Sequence, residues 1–314
     1  MSGIRITRVR KANNGLLCKR IALDADGRPS SDGSPCRMWA GTATRVEITD
    51  ACGLADLITG LDSAEALILG DHVAEEATIR LAEDSEANTV RGLFGRTLST
   101  FRFRPGEPAV CLLDFDRKGM PQAVADRLDA VGGFEGAIAE LLPDLSGYAR
   151  VIRASTSAGL YNLETGERFA AGGGRHLYLL ATNGADLPRF LRDLQARAWL
   201  AGFGWIMVAG RGARLTRSIV DITVGSPERL VFEGPPLVVA PLAQDATERA
   251  PIAHAGGLID TSAACARRLA ADRGESGARQ LRGMGSTGRE RHRLRRRRRH
   301  RRADGEDPDG RPRA

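Results

Sequence analysis

The chain is predicted to be an α/β protein, on three observations. Short apolar runs closed by glycine or proline, of which 109–114 before Gly119 and Pro121 is the plainest, read as strands. They are interleaved with stretches of helical periodicity, of which 187–201 is the clearest. A hydrophobic fraction of 42% in 314 residues is enough for a real core, in one large domain or two ordinary ones.

In chain order, 4–9 and 17–24 alternate as strands, with a turn at Asp24-Ala25-Asp26-Gly27 and a polar loop from Ser30 to Pro35. Helices are expected over 50–60, 62–69 and 72–82; the second opens on Asp62 or Ser63 as cap with Glu65 in its first turn. A break falls at 85–88. Segments 96–104 and 109–114 flank Pro105-Gly106-Glu107-Pro108 and read as a hairpin. Short helices follow over 121–131 and 134–142, split by Gly132-Gly133 and ended by Pro143.

The next strand, 148–153, runs into Ala154-Ser155-Thr156-Ser157-Ala158-Gly159, a turn that could offer hydroxyls and N–H groups to an anion or merely satisfy its own backbone. A strand over 175–180 leaves Gly172-Gly173-Gly174, with His176, Tyr178 and Leu180 on one face and Arg175, Leu177 and Leu179 on the other. Asp186 caps the helix that Gly202 stops; Leu187, Phe190, Leu191, Leu194 and Ala198 form its apolar stripe. Strands 205–208 and 215–224 flank the glycine turn 210–212, and Asp221 interrupts the apolar run of the second. Segment 226–232 and then Pro235-Pro236 close the patterned region.

The strand at 109–114 ends in Asp114-Phe115-Asp116. Side chains alternate across a strand, so the two carboxylates share a face with Cα atoms roughly 7 Å apart. Like charges that close conflict, and a divalent cation resolves the conflict. The plainer alternative is that Asp114 caps a turn and Asp116 pairs with Arg117 or Lys118. His176 stands at the mouth of its strand beside glycine backbone, and a mid-strand Asp221 needs a partner or a metal.

Composition excludes several classes. Residues 271–314 carry fifteen Arg and seven acidic residues, so they hold a surplus of eight positive charges and residues 1–270 sum to −1. The body is nearly neutral. Lysine occurs only at Lys11, Lys19 and Lys118, and the arginine excess fits a GC-rich bacterial coding sequence. Five widely spaced cysteines without a Cys-x-x-Cys argue against a disulfide framework and a structural zinc site. Neither a membrane span nor a signal peptide is visible, so a reduced bacterial cytoplasm is expected.

Asp114 with Asp116, then His176 after glycines, then Asp221 on a late strand: this order resembles the archaeo-eukaryotic primase superfamily, the primase-polymerases, most of all the branch carried by bacterial plasmids, phages and integrative elements. Leu112-Leu113-Asp114-Phe115-Asp116 matches the family's first motif, Gly174-Arg175-His176 its second and Val220-Asp221 its third. The family usually has Ser two residues before the His; this chain has Gly174, and Ser155 or Ser157 is the candidate source of that hydroxyl.

The resemblance covers roughly 95–240. It implies an α/β catalytic core with an RRM-like sheet beside a second α/β module. It implies a Mg²⁺- or Mn²⁺-dependent DNA primase or polymerase that joins nucleoside triphosphates on single-stranded DNA. Asp114, Asp116 and Asp221 would hold the metals. Arg153, Ser155, Ser157, Arg175 and His176 would hold the nucleotide. A helicase, separate or in a further C-terminal region, is an expected partner. Domains are then expected at 1–95 (an α/β segment, part of the catalytic unit), 96–245 (the core), 246–272 (a linker) and 273–314 (a disordered Arg-rich tail). That tail is expected either as an arm for polyanions or as the product of a shifted reading frame.

Other classes remain open. A non-catalytic replication initiator or DNA-binding module could keep the same fold. A metal nuclease also uses paired carboxylates. A hydrolase using Ser155 or Ser157 with His176 would lack a Gly-x-Ser-x-Gly elbow.

Overall fold

The structure, a computed structural model, describes residues 3–87, 89–170, 172–210 and 212–266. The expectations for the arginine-rich tail at 273–314 lie outside these residues. Residues 1–265 form one unit, a mixed α/β body in which several sheets outweigh few helices. Among the described residues no helix is long and apolar enough to cross a membrane.

The N-terminal part builds a sheet from β1 (Ile4–Lys11), β2 (Gly41–Ile48), β3 (Glu65–Ile68), β4 (Thr78–Leu81) and β5 (Leu93–Phe94). β2 follows a loop and is not announced by patterning, because only Ala43 and Ile48 along it are fully buried. Helix α1 (Ala51–Thr59) forms as expected, capped by Asp50, whose side chain accepts from the Gly53 N–H.

The helices expected over 62–69 and 72–82 are strands instead. Asp62 and Glu65 do make cap-like bonds: Asp62 accepts from Ala64 N at 2.8 Å, and Glu65 accepts from Asp62 N at 3.2 Å. They cap a turn. Glu65–Ile68 is buried at all four positions between β1 and a later strand, and a run buried on both faces carries no period to tell strand from helix.

The second sheet carries the candidate site. Its strands are β6 (Ala109–Phe115), β7 (Arg150–Ala154) and β8 (Arg175–Ala181), with β8 central and antiparallel to both. The expected hairpin of 96–104 with 109–114 does not form. Phe101–Arg102 pairs with Asp71–His72, and β6 finds its partner in β8. Phe115 stacks on Phe134 of α3 (Gly133–Leu141) at 4.7 Å, which anchors the end of β6 from the face opposite Asp114. α2 (Gln122–Ala130) precedes α3, and α4 (Leu187–Leu200) buries its predicted stripe.

β9 (Gly204–Val208) and β10 (Arg214–Ser218) form a hairpin. The strand expected over 215–224 stops at Ser218, whose hydroxyl accepts from Val220 N and donates to Val220 O, turning the chain. β11 (Leu230–Val231) crosses back to pair with β3, and β12 (Ile252–His254) adds an edge to the second sheet beside β7. Segment 246–272, expected as a linker, thus supplies a strand. α1 packs against β7 and β12, so Ile4, Ile6 and the α1 face share one core with β6, β7 and β8, while Val9, Leu17, Ile79 and Leu81 belong to a second cluster.

Candidate active site

Antiparallel register sets Asp114 opposite His176, and His176 opposite Arg153. Directly opposed residues share a face, so three ionisable side chains stand in a row across β6, β8 and β7. His176 Nε2 lies 3.3 Å from Asp114 Oδ1. Its Nδ1 meets Glu233, a carboxylate the sequence reading passes over.

Glu233 is 1% exposed and is held from every side. The Tyr178 hydroxyl donates to its Oε1. Arg153 Nη1 donates to Oε2 at 2.6 Å and to the Glu233 carbonyl at 2.7 Å. Arg249 Nη2 lies 3.6 Å from Oε2, and the Arg249 carbonyl accepts Arg153 Nε at 2.8 Å. A signal for Glu233 was present: an apolar run, Leu230-Val231-Phe232, then an acid, then Gly234-Pro235. That is the same order of residue types that singles out Asp114. A Cβ on Gly234 would stand 2.3 Å from the Asp62 carbonyl, so the backbone passes close against the 62–65 turn here.

Electrostatics follow from this packing. Burial disfavours a charged His176, but Glu233 and Asp114 outweigh it and raise its pKa to about 10. Burial likewise disfavours the Glu233 carboxylate, and the His176 charge, then Arg153 and Tyr178, reverse this and hold it well below the usual range. Burial also raises Asp114, yet the hydrogen bond and charge of His176 leave its pKa lowered, with help from Arg229 and Lys19. These shifts favour an imidazolium held between two carboxylates, with Nδ1 hydrogen-bonded to Glu233 and Nε2 3.3 Å from Asp114. In that charged form the ring has no free lone pair to act as a general base. Ser155 Oγ lies 3.3 Å from Ser157 Oγ, and among the described residues no hydrogen bond joins either to His176.

In front of the row opens a cleft of about 620 Å³ lined by Asp114, Asp116, His176 and the Ser155-Thr156-Ser157 turn. That volume is typical of small-molecule sites. Lys19, Arg37, Arg96 and Arg229 also line it, and among the described residues none of these four forms an ion pair. A second cavity of about 150 Å³ is lined by Asp114, Asp116, Asp221, Lys118 and Arg217. Asp114 and Asp116 thus border both spaces, and Asp221 borders the smaller.

Asp116 Oδ1 accepts from Lys118 N at 3.0 Å, and Asp221 Oδ1 accepts from Thr223 N at 2.8 Å, capping a short 3₁₀ turn rather than sitting in mid-strand. Among the described residues no three His, Cys, Asp or Glu side chains converge into a ready cation cage.

Two of the expected nucleotide contacts are not brought to the cleft. Arg153 is 8% exposed, its guanidinium occupied by Glu233 and the Arg249 carbonyl. Arg175 faces the other side of the sheet opposite Phe115, and its Nη1 donates to the Gly174 carbonyl at 3.1 Å. Gly174 has a local cause: a Cβ there would lie 3.0 Å from Ser155 Cβ and 3.2 Å from the Phe115 carbonyl. The Ser155 side chain fills the space that a side chain at 174 would take. No family model, curated protein or solved structure matches this chain.

Proposed function

We propose that the chain is a metal-dependent nucleotidyltransferase of the primase-polymerase kind. It would join nucleoside triphosphates on a single-stranded DNA template, in the cytoplasm of bacteria carrying a mobile element, with a helicase exposing the template. The observation that carries this reading is the paired carboxylate edge, Asp114 and Asp116, which opens on one side to a cationic, hydroxyl-bearing cleft and on the other to Asp221.

The donor set fits Mg²⁺ or Mn²⁺. Mg²⁺ usually takes one or two carboxylates plus substrate phosphates rather than an all-protein cage, and Asp114 and Asp116 beside a cationic cleft suit that requirement, while Asp221 lines the smaller cavity without converging on them. Asp114 and Asp116 would hold the ion, which would supply Lewis-acid polarisation of a phosphoryl oxygen and of the attacking hydroxyl.

The chain's own residues do the rest. His176, fixed between Glu233 and Asp114, keeps Asp114 ionised and oriented. Ser155 and Ser157 offer hydroxyl donors to phosphate oxygens, Ser155 from the place where the related motif carries its serine. The unpaired cations neutralise a polyphosphate as it approaches.

Labelled-nucleotide incorporation on single-stranded template tests this. The wild-type chain should incorporate nucleotide with Mg²⁺ or Mn²⁺, and Asp114→Asn or Asp221→Ala should each reduce the rate by roughly 10³-fold or more. DNA binding without incorporation, unaffected by either substitution, would instead identify a non-catalytic initiator module.

A further inference from the structure

We infer that residues 19–39 form the nucleotide-binding wall of the cleft, with Lys19 and Arg37 taking the polyphosphate of a nucleoside triphosphate and Trp39 stacking on its base. This rests on the nucleotide-joining reading of the same site and assigns the N-terminal segment a part in it. The catalytic strands supply few free cations, because Arg153 is spent on Glu233 and Arg175 faces away. A polyphosphate needs cations, and those facing the cleft without a carboxylate partner include Lys19 and Arg37.

Their contrast with nearby basic residues is informative. Lys11 is consumed structurally: its Nζ donates to the Leu16 and Pro35 carbonyls at 2.9 Å each, tying together the two ends of this excursion. Arg10 pairs with Asp62 and Glu65. No side-chain bond within the described residues engages Lys19 or Arg37, although both charges reach neighbouring acids: Lys19 acts on Asp114 and Arg37 on Asp32.

The excursion is a built wall rather than a loose loop. Arg20–Leu23 pairs with Pro29–Asp32 and, in parallel, with Leu237–Val238, just past Glu233. Leu237 N donates to the Lys19 carbonyl at 2.9 Å, which fixes Lys19 relative to the segment that holds His176. Trp39 is 59% exposed yet lines the cleft. An indole left half in water beside unpaired cations and hydroxyls suits a planar base carrying phosphates.

The test measures binding to the full chain by equilibrium dialysis, with Trp fluorescence alongside, using ATP with Mg²⁺, inorganic tripolyphosphate and a short oligodeoxythymidylate as probes. Lys19→Ala/Arg37→Ala should weaken ATP and tripolyphosphate alike, by roughly 100-fold for the pair. The conservative Lys19→Arg/Arg37→Lys pair should recover most of that loss, which separates charge from folding. Trp39→Ala should weaken ATP about tenfold and leave tripolyphosphate unchanged. The inference is overturned if the wild type binds no ATP, if the double substitution leaves ATP binding intact, or if it abolishes oligonucleotide binding alone. ATP binding lost in the variants, with no incorporation by the wild type, would uphold the wall and sink the nucleotide-joining reading. Incorporation by the wild type with an unchanged KM in the double variant would do the reverse.

Discussion

Glu233→Gln removes the charge that His176, Arg153 and Arg249 all meet. The carboxylate is 1% exposed and faces His176, Arg153 and Arg249, so water screens little of its interaction. Breaking a buried ion pair by removing one partner costs about 3–5 kcal/mol. Glu233 and Asp114 together raise the His176 pKa from 6.5 to about 10 against the effect of burial, so Glu233→Gln should remove part of that rise and leave the part due to Asp114.

The pH dependence has a defined sign. A group whose folded pKa is raised contributes stability that is complete below its unfolded value and lost as pH climbs through the folded value. For His176 the loss therefore runs from 6.5 up to about 10. Glu233, whose folded pKa is lowered, contributes above its ordinary 4.5 and loses that contribution in acid. Urea unfolding at pH 6 should show Glu233→Gln about 3–5 kcal/mol less stable than the wild type, and at alkaline pH the gap should narrow as the wild-type imidazolium deprotonates. A loss below about 1 kcal/mol at pH 6, or a gap that does not change with pH, would refute the charged row.

Two further substitutions probe the same packing. Tyr178→Phe removes a fully buried hydroxyl that donates to Glu233 and should cost about 1.5–3 kcal/mol, read as a lower urea midpoint; an unchanged midpoint would mean the bond contributes nothing. Gly174→Ser should cost about 1–3 kcal/mol by crowding Ser155 Cβ and the Phe115 carbonyl, and adding Ser155→Gly should recover the part of the melting temperature lost to the Ser155 contact. If the second change restores nothing, the two side chains do not compete for one space.

Much of the sheet that carries the candidate site was legible because its strands carry their own punctuation. Glycine and proline close the run at 109–114, and period-two alternation puts Asp114 with Asp116 and His176 with Tyr178 on shared faces. The register between those strands was not legible. Asp114 meets His176 across a long stretch of chain, and nothing local selects that pairing over the hairpin suggested by Pro105-Gly106-Glu107-Pro108. Glu65–Ile68 misled for a different reason, since genuine capping bonds at Asp62 and Glu65 precede a strand. Arg153 carries the residue type of a phosphate contact, and only burial reveals it as a structural counter-ion.

The row also explains why residues 246–254 bear on the site. Asp114 is the one carboxylate of the row with substantial exposure, at 35% of its side chain. Its partner His176 is charged because of Glu233, and Glu233 tolerates burial because Arg153 and Arg249 balance it. Arg249 is itself buried, and its pKa is pushed down to about 10 by burial and then by the Arg153 charge, so it remains a cation at neutral pH. Each group is affordable only because of the next. The series begins at the cleft and ends in a segment that the patterning treats as past the core. β12 follows directly and seals the edge of β7, on which Arg153 lies. Residues 246–254 therefore connect to the cleft without lining it: Arg249 meets Glu233 and Arg153, Glu233 meets His176, and His176 meets Asp114.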